Sequence, residues 1–166
     1  FDYVLICIPY LQSKELSKDL IDFTQIGSEP FYDPIHTVML SYKDNNNINI
    51  KAGLNLHKDI SFFMNQNIKF NELSDECWVL NMSSEYTNNN ISIDKSDLEK
   101  YAQSIFEKTF GIKNEISFIK SHRWLFAQTK VSYNSISKKN WINSKDNKLF
   151  LSGDWVIGKS LSDAWD

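Results

Sequence analysis

Glycine is scarce in this chain, five residues in 166 with none clustered, which excludes a phosphate-cradling loop of the G-x-G-x-x-G or P-loop kind. Cysteine is scarcer still. Cys7 and Cys77 lie far apart with no His or Cys near either in ligand spacing, so the expectation is two buried thiols in a reducing cytoplasm and no disulfide. Positive charge is not in excess. Eighteen Lys and Arg against 21 Asp and Glu give a formal net charge of −3 and a pI near 5.6, without the basic footprint of a nucleic-acid binder. No apolar run approaches a membrane span and no signal peptide is recognisable, so a cytoplasmic protein with neither a nucleic-acid nor a membrane partner is expected. His36, His57 and His122 show no H-x-H or H-x-x-x-H spacing, so no metal site is expected. The many serines lack a strand–turn–helix nucleophile elbow.

What is present is apolar and aromatic. Hydrophobic residues make up 42% of the chain and charged residues 23%, ordinary for a globular protein, while the aromatic share of 14% points to a large sheet or an aromatic-lined pocket. A chain of this length has room for one domain that buries roughly 70% of its unfolded surface.

The opening run Val4 to Ile8 is continuously apolar, the pattern of a strand covered on both faces in a parallel sheet. Nothing before it supplies such neighbours. The chain also closes about two turns into a helix that follows Gly153-Asp154. Both ends therefore read as pieces of a larger α/β fold. Between them, Tyr10 to Phe23 carries Leu16, Leu20, Ile21 and Phe23 at helical spacing. Strands are expected at His36–Tyr42, with Val38, Leu40 and Tyr42 on one side, at Ile48–Leu56, Ile60–Met64, Cys77–Met82 and Ile116–Ala127. A loop with a short helical turn spans Ser83 to Ile93.

The clearest helix follows Asp94, which can cap it, and runs on the stripe Leu98, Tyr101, Ala102, Ile105, Phe106 and Phe110 to a stop at Gly111. A last short strand covers Leu149 to Leu151. The sum is an α+β fold, mostly antiparallel sheet with helices packed on one face, flanked by remnants of an α/β domain.

Two stretches can carry chemistry. His122-Arg123-Trp124 places a titratable ring, a fixed cation and an indole on consecutive strand positions. It is either core with a surface cation or a sheet face lining a ligand site, with His122 and Trp124 on the same side. Gly153-Asp154 after a strand is either an Asx turn capping a helix or a site where the carboxylate accepts hydrogen bonds from ligand hydroxyls. The Trp78-Val79-Leu80 strand has the composition of core, and Lys69 that of a solvated loop.

Several segments, taken together and in order, resemble the NAD/FAD-dependent oxidoreductases of the renalase-like group, relatives of the flavin-containing amine oxidases. Phe1-Asp2-Tyr3-Val4-Leu5-Ile6-Cys7-Ile8-Pro9 resembles the strand that leaves the flavin domain, and Asn67-Ile68-Lys69 sits where that family has an "n-S-K-P" loop. Trp78 to Ser83 with Glu85-Tyr86 is similar to "W-V-L-H-A-S" and "E-W", and His122 to Ala127 to "H-R-W-R-Y-A". Gly153-Asp154-Trp155, Gly158 and Ala164 are similar to "G-D-W-x-x-G-G-x-x-E-x-A". Leu125 and Phe126 replace the Arg-Tyr of that pattern, and Ser162 and Asp163 fall where the family has Glu and a small residue.

The resemblance implies FAD as cofactor, with Gly153, Asp154, Trp155 and Gly158 on the flavin side and His122, Trp124 and Trp78 on the substrate side. It further implies hydride transfer from an amine or dihydronicotinamide-type small-molecule substrate. Residues 1–9 would end a Rossmann-like FAD domain, 10–148 form the substrate domain, and 149–166 begin the C-terminal flavin motif. The N-terminal FAD-binding segment would be a missing partner, so this portion alone is expected to be inactive and not to hold FAD. The alternative is a non-catalytic α+β module that binds a ligand or a protein without a cofactor.

Overall fold

The computed structural model describes residues 1–25, 29–70, 72–131 and 140–157. Along the chain run β1 (Val4–Ile6), α1 (Tyr10–Ser17), β2 (Phe31–Tyr42), β3 (Ala52–His57), β4 (Ile60–Asn65), β5 (Glu76–Met82), α2 (Ser84–Asn89), α3 (Lys95–Phe110), β6 (Ile116–Val131), β7 (Ile142–Asn143), β8 (Leu149–Leu151) and α4 (Asp154–Ile157). Short 3-10 turns at Phe23–Gln25 and Gln66–Ile68 interrupt the loops. The strands form two sheets, β3-β4-β5-β2-β6 and β1-β8-β7. The expected α+β class, mostly antiparallel, is what the chain adopts. It divides into two compact units, residues 34–125 and residues 1–33 with 126–166, and the boundaries fall inside β2 and β6.

In the 34–125 unit the alternation of β2 decides the core. Val38, Leu40 and Tyr42 are buried, as expected, and face Trp78, Leu80 and Met82 of β5 with Ile60 and Phe63 of β4. Helix α3 covers this face with Leu98, Ala102 and Phe106. Its ends obey the sequence: the Asp94 side chain accepts from the Ser96 amide, and Gly111 takes φ 66° as the left-handed stop. Burial of Leu98 and of Phe106 contributes about 1.5–3 kcal/mol each, which holds the helix on the sheet.

The second unit is built around the small sheet. Strand β1 pairs parallel with β8, Val4 opposite Leu149 and Ile6 opposite Leu151, and β7 pairs antiparallel with β8. Its core gathers Tyr10, Ile21, Tyr32, Leu149, Leu151, Trp155 and Val156. Within it Tyr10 meets Trp155 edge-on at 5.2 Å, and Tyr32 meets Phe126 at 5.4 Å. The carboxylate of Asp33, itself buried, pairs with Lys130 at 2.8 Å.

Strand β1 is shorter than the apolar run Val4 to Ile8, ending at Ile6, and Leu5 is 63% exposed within this chain. Two expectations fail here. Helix α1 stops at Ser17, and its leucines are not its buried side. Leu16 and Leu20 are 67% and 64% exposed, while Tyr10, Ser13 and Ser17 are buried. The reason is local bonding. Ser13 Oγ donates to Ile8 O and Ser17 Oγ to Ser13 O, so two serines satisfy themselves against backbone and can be buried at small cost. The two thiols are free as expected, but Cys7 is exposed and only Cys77 is partly covered.

Candidate functional site

The His122-Arg123-Trp124 strand lies on β6, the edge strand of the five-stranded sheet. Ser121 points toward α3, where its amide and hydroxyl both donate to Glu99 Oε1, at 2.8 and 2.9 Å. Strand alternation then sends His122 and Trp124 to the opposite face. There the two rings pack at 4.2 Å between centroids, tilted by 56°. His122 and Trp124 therefore do point together, and both are exposed.

The same sheet face continues across the neighbouring strands. Met39, Val79 and Met64 form one cross-strand row, and Thr37, Asn81 and Phe62 the next. Thr37 Oγ1 donates to Asn81 Oδ1 at 2.8 Å. Apolar side chains with one amide–hydroxyl pair, opposite the face covered by α3, make a surface on which a flat organic molecule could lie. Trp78 is not part of it. Its indole is buried on the α3 side, 5.1 Å from Phe106, 6.1 Å from Phe63 and 6.3 Å from Phe110. A substrate would have to displace the helix to reach it, so its expected substrate contact is corrected to a core role. Its Nε1 has no partner among the described residues.

At the rim between β6 and the start of α3 the unit holds a cleft of about 430 Å³. It is lined by His36, Lys95, Ser121, His122 and Arg123 above an apolar floor of Ile93, Leu98 and Leu125. Arg123 Nη1 donates to Ile91 O. His36 is 2% exposed, and its amide donates to Thr87 Oγ1 at 3.2 Å. Burial, and then the nearby Arg123 charge, hold its imidazole below the usual histidine range. Sequence reading singled out neither His36 nor Lys95 here. The cleft is assembled from stretches near residues 36, 95 and 122, and only the even-residue alternation of His36 with Val38 hinted at its inward direction.

The other candidate, the Gly153-Asp154 turn, belongs to the second unit. Gly153 has φ 146°, and a Cβ there would come within 3.2 Å of the Trp155 indole nitrogen. Asp154 starts α4, and its Oδ2 accepts from Thr129 Oγ1 at 2.8 Å. Trp155 is fully buried and donates from Nε1 to Ile8 O at 3.0 Å. It clamps the turn to the end of the β1 segment, so its expected place beside a cofactor is corrected to a core role. Gly153 and Asp154 remain compatible with a ligand at the turn, although a ligand hydroxyl would share the carboxylate with Thr129. Gly158 lies outside the described residues, as do Ser162, Asp163 and Ala164.

Tyr32 anchors the same region. Its hydroxyl accepts from the Tyr10 amide at 2.7 Å. Its phenol is pushed up to about 12, chiefly by burial, with the Asp154 and Tyr10 charges adding and the bond from the Tyr10 amide opposing.

Among the described residues no group of three or more His, Cys, Asp or Glu side chains could hold a metal ion, and no helix is long and apolar enough to cross a membrane.

No protein-family model matches the chain, and no curated protein matches it by sequence. Its fold is similar to that of a solved structure, a putative protoporphyrinogen oxidase from Exiguobacterium sp. 255-15, with a TM-score of 0.68 at 15% identity. The match covers 98% of this chain and 38% of that one, so the chain spans well under half the length of the protein whose fold it shares.

Proposed function

We propose that this chain is the substrate-covering part of an FAD-dependent oxidoreductase of the amine-oxidase and renalase-like kind. Its reaction would pass a hydride from an amine or dihydronicotinamide-type substrate to the flavin. The observation that carries the reading is the fold likeness over 98% of the chain to a protein named as an oxidase. The order of the resembling segments supports it independently. In this reading residues 10–148 are the substrate domain, while 1–9 and 149–166 belong to the flavin-binding side.

FAD, when bound, supplies the hydride acceptor. The residues of this chain have narrower tasks. Gly153 allows the turn its positive φ and Trp155 fixes that turn. Asp154, already oriented by Thr129, offers a carboxylate to ligand hydroxyls. The face carrying Met39, Val79, Phe62, His122 and Trp124 covers the substrate and keeps water from the reacting atoms. His122, exposed beside Trp124, is placed to orient a polar group of a flat substrate stacked on the indole.

The test is spectroscopic. The complete product of the gene that carries this sequence is expected to purify yellow or to become so on addition of FAD. Anaerobic addition of an amine or a dihydronicotinamide should then bleach the flavin, the faster donor identifying the substrate class. A complete product that remains colourless with excess FAD overturns the proposal and leaves the cofactor-free binding module as the better reading.

A further inference from the structure

We propose that the cleft at the rim of the 34–125 unit, between β6, the start of α3 and His36 of β2, binds a small organic oxyanion, a carboxylate or a phosphate ester with a short apolar body. This does not depend on a flavin, and of the substrate face described above the cleft shares only His122.

Charge is the first argument. Lys95 and Arg123 border the cleft, and neither forms an ion pair among the described residues. Asp94 is the one carboxylate on its lining, and its side chain is already engaged with the Ser96 amide as the cap of α3. Glu99, on the same helix, is taken up by both donors of Ser121. Because Asp94 already serves the helix N-terminus, the attraction for an anion comes from the side-chain cations. Arg123 is also held in position, since its bond to Ile91 O uses one nitrogen of the guanidinium and leaves further donors of the fork available for a planar or tetrahedral oxyanion.

His36 is the independent observation. It borders the cleft, is 98% removed from solvent, and has a buried Nδ1 with no hydrogen-bond partner among the described residues. Buried polar nitrogens are almost always satisfied, and no described residue satisfies this one, so a molecule in the cleft that the ring borders would add the polar contact it lacks after a small shift of the ring. Its imidazole lies near Arg123 and is kept neutral by burial and by that cation. A bound anion would offset the Arg123 charge and give the ring a polar neighbour.

Size and floor then narrow the class. About 430 Å³ is well above the space a lone inorganic ion fills and lies at the lower end of small-molecule sites. Ile93, Leu98 and Leu125 give an apolar body something to rest on.

The experiment is an NMR titration of the full chain, following the ring resonances of all three histidines, with benzoate, phenyl phosphate and the uncharged benzamide as probes. Saturable shifts are expected at His36 and His122 but not at His57. One of the two anions should bind at least tenfold more tightly than benzamide, and which one does so assigns carboxylate or phosphate. Arg123→Met should weaken that binding at least tenfold, and Lys95→Met severalfold. Lys120→Met, an exposed cation on the same strand but not on the cleft lining, should leave it unchanged. Equal binding of benzamide, shifts that do not saturate, or unchanged affinity in Lys95→Met and Arg123→Met would overturn the proposal. Should Arg123→Met not fold, Lys95→Met, an exposed residue, decides the matter alone.

Discussion

The buried hydroxyl of Thr129 donates to Asp154 Oδ2 at 2.8 Å, tying the long strand β6 to the first residue of α4. Thr129→Val keeps the shape of the side chain and removes the donor. A hydrogen bond to a charged group of this kind is worth about 1.5–3 kcal/mol, and the variant should lose stability in that range by urea denaturation. Thr129→Ser, which retains the hydroxyl, should lose less. An undiminished stability in Thr129→Val would show that the bond does not matter.

Tyr32 makes alkaline stability predictable in sign. An unfolded tyrosine ionises near pH 10, whereas Tyr32 in the folded chain does so at about 12. Between these values the unfolded state holds fewer protons, so stability falls as pH rises, by about 3 kcal/mol once both are passed. Below pH 10 its contribution is fully present and does not vary with pH. Urea midpoints from pH 8 to 12 should therefore decline above 10, and more shallowly in Tyr32→Phe, whose overall stability is also lower because the Tyr10 amide loses its acceptor.

His36 acts at the other end of the scale. Its pKa is depressed by burial first and by Arg123 second, so its contribution is fully present above the unfolded value near 6.5 and is lost as pH falls through the folded value. Arg123→Met should raise the His36 pKa toward 6.5 in an NMR pH titration. An unmoved pKa would mean that burial alone sets it.

Two glycines with positive φ should respond differently to alanine. Gly111→Ala meets no atom within 4 Å and should cost about 1 kcal/mol for the left-handed backbone alone. Gly153→Ala adds a contact of 3.2 Å with the Trp155 indole that a fully buried side chain cannot relieve. It should cost about 2–3 kcal/mol and red-shift or broaden the tryptophan emission. Similar losses at both sites would remove the argument for a clamp.

Two tryptophans separate structure from the proposed activity. Trp78→Ala opens the core beneath α3 and should destabilise by about 3–5 kcal/mol. Trp124→Ala, on the exposed sheet face, should change stability by no more than about 0.5 kcal/mol, yet slow substrate-dependent flavin bleaching in the complete protein. Normal bleaching in Trp124→Ala would take this face out of the substrate site.

Much of the fold could be read from spacing. The β2 alternation of Val38, Leu40 and Tyr42, the 3.6-residue stripe of α3 and its two caps, and the short strand at Leu149 to Leu151 are where they were expected. Each is fixed by chemistry within a few neighbouring residues. The leucines of α1 misled because helical spacing says that two faces differ, not which of them a particular chain covers. Serines that bond their own backbone can win the buried side.

The site was legible only in part. The pairing of His122 with Trp124 followed from strand alternation, which holds within one strand. Trp78 and Trp155 read as ligand residues because an indole suits a pocket as well as a core. Which role it takes depends on Phe63, Phe106 and Phe110 in one case and on Tyr10 and the Ile8 carbonyl in the other. The cleft around His36 was invisible for the same reason.

By itself, then, the sequence determined the class of the fold, the placement of its best strands and helix, and the pattern of segments on which the flavoprotein proposal rests. The tertiary structure decided which aromatic rings are core, which acid is already occupied, and where two cations share a cavity with a histidine whose Nδ1 has no partner among the described residues. Such properties arise from long-range pairing, and the energy of a buried ring or an unpaired charge is set by neighbours dozens of residues away.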